Sequence, residues 1–253
     1  LHLHLLKLPR AEDEIAGTTS AIGASFAGKL ACTSTSGPGL ALKGEAIGLA
    51  VITELPLVIV NVQRGGPSTG LPTKTEQSDL MQALYGRNGE SPVIVIAASS
   101  PANCFDFAFQ AAKLSLEHMT PVILLTDSYL ANGSELWPIP EMKNMPEIVP
   151  PLVPDNTEDY EPYKRDPLRL NRYWAIPGQP GLRHRIGGLE KADVSGEVSH
   201  DPMNHQVMVK LREEKVQKVA EFIPEQEVVG PERADLLIVG WGGTYGAVVS
   251  AVN

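Results

Sequence analysis

Three short apolar runs constrain this chain more than any other feature: Leu55-Pro56-Leu57-Val58-Ile59-Val60-Asn61-Val62, Pro92-Val93-Ile94-Val95-Ile96-Ala97-Ala98 and Pro121-Val122-Ile123-Leu124-Leu125-Thr126-Asp127. Leu30 to Thr35 reads as a further, shorter strand. Between these runs lie segments with apolar residues at helical spacing: Glu12 to Ala27, roughly Leu40 to Thr53, Asp79 to Tyr85, and Pro101 to His118, the last opened by a proline near its first turn. Strands that are apolar on both sides must be covered on both sides. Repeated strand–helix alternation therefore predicts an α/β fold, a parallel sheet with helices on both faces.

The first run empties into Gln63-Arg64-Gly65-Gly66-Pro67-Ser68-Thr69-Gly70-Leu71-Pro72-Thr73-Lys74-Thr75-Glu76-Gln77-Ser78-Asp79-Leu80. Ligands of open α/β sheets sit outside the carboxyl ends of the strands. A loop of glycines, hydroxyls and charge rooted on one arginine suits an anionic small molecule. Arg64 is either a surface ion-pair residue or that anion contact, and Gly65-Gly66 would let backbone N–H groups approach the ligand. Ser34-Thr35-Ser36-Gly37-Pro38-Gly39 is a second strand-end turn, in which Ser36 either caps the next helix or walls the same crevice. Glu12-Asp13-Glu14 opens a helix. These carboxylates either complement the helix dipole, worth about 0.3–1 kcal/mol per charge, or send one acid into a pocket for proton transfer.

The pattern changes after Gly133. Pro138, Pro140, Pro146, Pro150, Pro151, Pro154, Pro162, Pro167, Pro177 and Pro180 exclude regular helix and central strand, so an extended arm is expected on this domain or on a partner. Pro202 to Phe222 is a charged helix with Met208, Leu211, Val216 and Val219 as its buried stripe. Ala234 to Trp241 reads as a strand, and Gly242-Gly243-Thr244-Tyr245-Gly246 opens a helix. One strand and part of a helix make no domain. The expected division is residues 1–180 as the first domain with its arm, 181–228 as linker and helix, and 229–253 as the start of a second, incomplete α/β domain.

Net charge is −9 with no basic run, which argues against nucleic acid. No apolar stretch reaches the roughly 18 residues of a membrane span, and Leu1 to Pro9 lacks the marks of a signal peptide. Two cysteines, Cys32 and Cys104, fit a reducing cytoplasm and cannot ligate an iron–sulfur cluster; both read as small core residues. His200 and His205 lack a metal-site spacing or a carboxylate partner in register. His2 and His4 alternate with leucines and read as half-exposed. Gly240 to Gly246 resembles a dinucleotide fingerprint only loosely.

Ala11-Glu12-Asp13-Glu14-Ile15-Ala16, the helix through Ala21 to Gly28, Thr35-Ser36-Gly37-Pro38-Gly39 and above all Gln63 to Leu80 resemble the alpha subunit of 2-oxoacid:ferredoxin oxidoreductases, the 2-oxoglutarate branch most. Ala234 to Ala247 resembles the start of that subunit's second domain. The resemblance implies a thiamine diphosphate pyrimidine-binding domain. It implies oxidative decarboxylation of a 2-oxoacid, with electrons passed through iron–sulfur clusters to ferredoxin and the acyl group captured on coenzyme A. A beta subunit would bring the diphosphate and magnesium wall, and a gamma subunit or a fused gamma domain would complete the complex in the cytoplasm. Glu14 matches the family glutamate that hydrogen-bonds the pyrimidine ring and favours its imino tautomer, with Glu12 as the fallback. Ser36 and Gly37 fall at the cofactor turn. Arg64 matches the arginine that faces the 2-oxoacid carboxylate, and Thr69, Thr73 and Lys74 are unranked partners for a distal carboxylate.

The sequence holds no Gly-Asp-Gly followed some two dozen residues later by asparagine, and no cluster-binding cysteine set, in keeping with magnesium and clusters on partner subunits. It departs from the family pattern in two places. A Tyr-Pro-Ile-Thr-Pro segment, whose threonine faces substrate, is absent, and Leu8-Pro9 runs into Arg10-Ala11 where the family has a strand. Segments are therefore expected to be missing before Leu1, between Pro9 and Arg10, and after Asn253. Two other readings stand beside this one: a non-catalytic scaffold that only binds partner subunits, and a nucleotide-binding protein using Gly240 to Gly246.

Overall fold

The computed structural model describes residues 10–154 and 158–252. The readings of His2 and His4, and of the junction at Pro9, lie outside the described residues. The apolar runs form a four-stranded, wholly parallel sheet of β1 (Cys32–Thr35), β2 (Leu57–Gln63), β3 (Ile94–Ala97) and β4 (Pro121–Asp127) in the order β1-β2-β4-β3. The register sets Thr35 beside Asn61, and Gln63 beside Asp127, at the carboxyl edge.

Both faces are covered. On one, Leu57, Ile59, Ile123 and Leu125 pack with Ile22 of α1 (Glu14–Phe26), Leu40 of α2 (Gly37–Leu42), Ile47, Ala50 and Val51 of α3 (Gly44–Thr53) and Ala83 of α4 (Leu80–Tyr85). On the other, Val58, Ile94, Val122 and Leu124 pack with Ala111 and Leu114 of α5 (Asn103–His118), Leu130 of α6 (Ser128–Asn132) and Val219. The alternation along β2 and β4 divides each strand between two cores, as a doubly covered sheet requires.

The turn at Ser36–Gly39 is itself helical. α2 begins at Gly37, and the helix expected to run unbroken to Thr53 is split at Lys43 into α2 and α3. Cys32 is not a core residue: it is exposed on β1, an edge strand. Among its described residues the arm carries a single turn of 3-10 helix at Met142–Asn144 and is otherwise irregular, yet Val153, Tyr163, Trp174, Ala175 and Leu182 are buried. It is locked to α3 by charge. The Glu54 carboxylate, fully buried at the left-handed end of α3, accepts from Arg165 of the arm at 2.6 Å and from Lys215 of α7 (Pro202–Gln217) at 2.6 Å. Burial pushes the Glu54 carboxyl up, but the two cations outweigh it and hold it far below the ordinary range. Burial pulls the Lys215 amine down to about 8 against the pull of Glu54.

α7 turns 3-10 over Lys218–Phe222 and buries Met208 and Val219, with Leu211 and Val216 half-buried. His205 does have a carboxylate: its ring Nδ1 lies 2.8 Å from Glu190, which also accepts from Arg212 at 2.8 Å. The strand expected at Ala234–Trp241 does not form. Leu236, Leu237 and Val239 stand exposed, because no open strand among the described residues runs beside them to complete their hydrogen bonds. Gly242–Thr244 makes a 3-10 turn that leads into α8 (Tyr245–Val252). Among the described residues no helix is long and apolar enough to cross a membrane.

Candidate active site

The carboxyl edge of β1 and β2 gathers the predicted site. Asp13 caps α1, its carboxylate accepting from the Ala16 N–H at 2.7 Å, which leaves Glu14 in the first turn. The capping carboxylate of that trio is thus Asp13. Glu12 is exposed two residues before the helix. Glu14, also exposed, lies over α2. A side chain added at Gly39 would place its Cβ 2.8 Å from Glu14 Cγ and 1.9 Å from Thr35 Oγ1, so only glycine fits beneath the acid. The Glu14 carboxylate makes no hydrogen bond among the described residues.

Ser36 takes the cap position of α2, but its hydroxyl makes no cap hydrogen bond, which leaves it open to the crevice. Gly37 faces the Asp79 carboxylate; a Cβ there would meet Oδ2 at 2.9 Å. Under this turn lies Lys43, missed by sequence reading. It is 1% exposed and donates to Thr33 Oγ1 at 2.6 Å. Burial pulls its amine below the ordinary value, while the charges of Glu14 and then Cys32 act in the opposite direction.

The long loop is clamped at its roots. Gln63 Oε1 accepts from the Asp79 N–H at 2.9 Å, Gln63 Nε2 donates to the Thr126 carbonyl at 3.1 Å, and Ser128 Oγ donates to the Gln63 carbonyl at 3.1 Å. Asn61 Nδ2 donates to Asp79 Oδ2 at 2.9 Å. Within the loop the Gly65 N–H donates to the Lys74 carbonyl and the Leu71 N–H to the Gly65 carbonyl, each at 2.9 Å. The Glu76 carboxylate accepts from the Gly66 N–H at 3.0 Å. Gly70 at φ +39° could not carry a Cβ, which would come within 2.4 Å of the Gly65 carbonyl. Asn61, Gln63 and Asp79 were also missed. The signal was present, since Asn61 and Gln63 are the polar interruptions at the end of an apolar strand.

Arg64 stands at the foot of this loop, half-buried, with a buried Nε that has no hydrogen-bond partner and no ion pair among the described residues. A guanidinium held partly out of water without an acceptor is ready to take an external carboxylate. Thr69, Thr73 and Lys74 lie on the exposed rim and are not drawn inward. The edge thus joins Glu14, Ser36 and Gly37 from β1's side to Arg64 from β2's. Trp241–Gly243 closes a third side: the Trp241 carbonyl accepts from Gln77 Nε2 at 2.7 Å, and Gly243 abuts the Asp127 carboxylate. Gly240 to Gly246 is therefore part of the same edge.

The free acid over a glycine floor, the open hydroxyl and the unpaired guanidinium suit a cofactor with a basic ring nitrogen beside an anionic substrate, so a thiamine-type pyrimidine fits them. Comparison with known proteins agrees. Residues 4–203 match the sequence model of the pyruvate flavodoxin/ferredoxin oxidoreductase family, thiamine diphosphate-binding. The chain is 54% identical over 243 residues to 2-oxoglutarate oxidoreductase subunit KorA of Mycobacterium tuberculosis, covering 96% of this chain and 37% of that protein. It is 46% identical to 2-oxoglutarate synthase subunit KorA of Archaeoglobus fulgidus, covering 92% of this chain and 59% of that protein. A solved 2-oxoglutarate:ferredoxin oxidoreductase from Magnetococcus marinus, with 2-oxoglutarate, coenzyme A and succinyl-CoA bound, superposes with a TM-score of 0.91 at 39% identity, over 97% of this chain and 42% of that one. The chain spans between about a third and two thirds of the length of these relatives. It belongs to the pyruvate flavodoxin/ferredoxin oxidoreductase family, in the thiamine diphosphate-binding part of that fold.

Proposed function

We propose that this chain is the cofactor-site-building part of an alpha subunit in a 2-oxoacid:ferredoxin oxidoreductase that acts on 2-oxoglutarate. The observation that carries the reading is the pairing of Glu14 and Arg64 on one sheet edge, an acid without a hydrogen-bond partner and a cation without an anion among the described residues. Thiamine diphosphate, when bound, supplies the electron sink for decarboxylation. Glu14 holds a proton at the pyrimidine ring nitrogen, and Ser36 and Gly37 border the ring. Arg64 binds the 2-oxoacid carboxylate. Thr69, Thr73 and Lys74 are placed where a rim could engage the second carboxylate of 2-oxoglutarate. The names of the relatives support that substrate, and coenzyme A bound to the Magnetococcus protein supports it as acyl acceptor.

The family resemblance supports a division of labour between subunits. A beta subunit supplies magnesium and the diphosphate wall, while iron–sulfur clusters, ferredoxin and a gamma subunit or domain take the electrons onward. Large exposed apolar side chains beside the edge, Ile15, Met81 and Tyr85, support a partner seated over it. Residues 229–253 read as the opening of a second domain, and two unpaired cysteines accord with a cytoplasmic setting.

The test is thiamine diphosphate titration of the chain with and without the beta subunit, followed by turnover of 2-oxoglutarate by the assembled complex. Binding that requires both subunits is expected. Arg64→Ala should lower kcat/KM by about 10²–10³-fold, and Glu14→Gln should suppress cofactor C2 proton exchange by about 10²–10⁴-fold. No cofactor binding in either state would favour the scaffold reading, and an unaltered exchange rate would move the acid to Glu12.

A further inference from the structure

Lys43 is a buried charged group beside the candidate acid that the proposed mechanism leaves unused. It is buried to 1% exposure and, among the described residues, its ammonium makes one hydrogen bond, to the neutral Thr33 hydroxyl at 2.6 Å. No carboxylate lies within ion-pair distance of it among the described residues. Burying an ammonium against a hydroxyl alone is costly, and proteins normally pair such a charge or lose it. The backbone shows where the compensation comes from. The Lys43 N–H donates to the Gly39 carbonyl at 3.0 Å, so Lys43 stands one helical turn beyond Gly39 and its side chain leaves the helix on the same stripe. Glu14 Cγ lies directly on that stripe, against Gly39. Thr35 and Thr33, alternate residues of β1, flank the two ends of the pair.

The titratable side chains that act on the ammonium are Glu14 from α1 and Cys32 from β1. Asp79, at the other end of α2, is turned to Gly37 and Asn61. The thiol is the weaker influence, and Glu14, seated against Gly39 one helical turn away, is the carboxylate that faces Lys43.

We propose that Lys43 is a positioning residue for Glu14: its anchored, buried ammonium sets how tightly the Glu14 carboxylate and the ring nitrogen opposite it hold their shared proton. The inference rests on the thiamine diphosphate reading above. Its physical content is one of sign. A fixed cation beside the pair opposes protonation, so it lowers the pH at which the pair becomes protonated. A neutral side chain of similar length lets the pair keep its proton to higher pH, whereas arginine retains the charge.

The experiment uses the complete hetero-oligomeric complex loaded with thiamine diphosphate and magnesium and free of 2-oxoacid. The near-ultraviolet circular dichroism of the bound aminopyrimidine is titrated with pH, and cofactor affinity is measured by calorimetry at each pH. Lys43→Met should move the midpoint up by about one pH unit, a tenfold change in proton affinity, while cofactor still binds. Lys43→Arg should return the midpoint to within a few tenths. If Lys43→Met does not assemble, Lys43→Gln removes the charge, leaves an amide for Thr33, and must shift the midpoint in the same direction. A midpoint that stays put in a neutral variant with cofactor bound overturns the role of Lys43 and leaves the thiamine diphosphate reading intact. A wild-type complex that binds no thiamine diphosphate overturns both.

Discussion

At the scale of single residues, the site is built by what is missing as much as by what is present. Gly39 is the clearest case. Its hydrogen lets the Glu14 side chain and the Thr35 hydroxyl meet over the helix, and a methyl group would sit 1.9 Å from Thr35 Oγ1. Overpacking of this kind costs about 1–3 kcal/mol and is relieved by moving the flexible neighbours. Gly39→Ala should therefore fold, lose roughly that much stability by urea denaturation, and bind thiamine diphosphate at least about tenfold more weakly, because the acid is displaced. Full affinity in that variant would show that Glu14 does not depend on the glycine floor. The sequence made Glu14, Gly37 and Arg64 legible because they carry distinctive types at strand ends and helix starts. It hid Lys43 and Asp79. A lysine between two helices and an aspartate before a third read as solvated charge, and what buries them is tertiary: Lys43 is closed in under α2, and Asp79 is turned toward a different strand by Asn61 and Gln63.

At the scale of elements, the parallel sheet and its helices were readable from apolar runs and periodicity, whereas the proline-rich arm was readable only as irregular. Its place is set by polar chemistry between residues far apart in the chain. Arg165 and Lys215 converge on Glu54, and Arg172, 1% exposed, donates to the Thr53 carbonyl at 3.1 Å. The same docking buries His118 at the end of α5, its ring 5.2 Å from that of Phe222 and both nitrogens without a partner. Burial first, then the positive charges of Arg169 and Lys215, pull its value down to about 4 from 6.5. The unfolded chain thus takes up a proton below pH 6.5 that the folded chain refuses until about pH 4. Stability is full above the upper value and is lost as pH falls through this window, by up to about 3 kcal/mol at 1.4 kcal/mol per unit. His118→Leu should remove that part of the acid limb: urea midpoints of variant and wild type should converge or cross between pH 7.5 and pH 4.5, and parallel curves would exclude His118 as the group responsible.

At the scale of the whole molecule, the proposed function makes the sheet edge half a chamber. Glu14, Ser36 and Arg64 open onto the same side as three large apolar side chains that stand exposed among the described residues: Ile15 at 45%, Met81 at 64% and Tyr85 at 73% exposure. Their setting is rigid. Ile15 follows Glu14 in the first turn of α1, and α4, which carries Met81 and Tyr85, is held to the cofactor turn through Gln82 Nε2 and the Gly37 carbonyl at 3.4 Å. A partner that lands here buries aromatic and sulfur-bearing surface and seals the acid and the guanidinium from water in one step. That would explain why a half-buried guanidinium stands without an acceptor among the described residues. Tyr85→Glu places a charge in the centre of such a contact without touching the core. It should leave the urea midpoint of the isolated chain unchanged, weaken association with the beta subunit by at least about 30-fold, as expected for an aromatic anchor worth about 2 kcal/mol, and lower apparent cofactor affinity in proportion. Sedimentation or surface-binding measurements at fixed magnesium would read the first effect, and calorimetry the second. If association held while cofactor affinity fell, Tyr85 would belong to the pocket; if both held, the partner would have to approach from another side, and the chamber would close elsewhere than over α4.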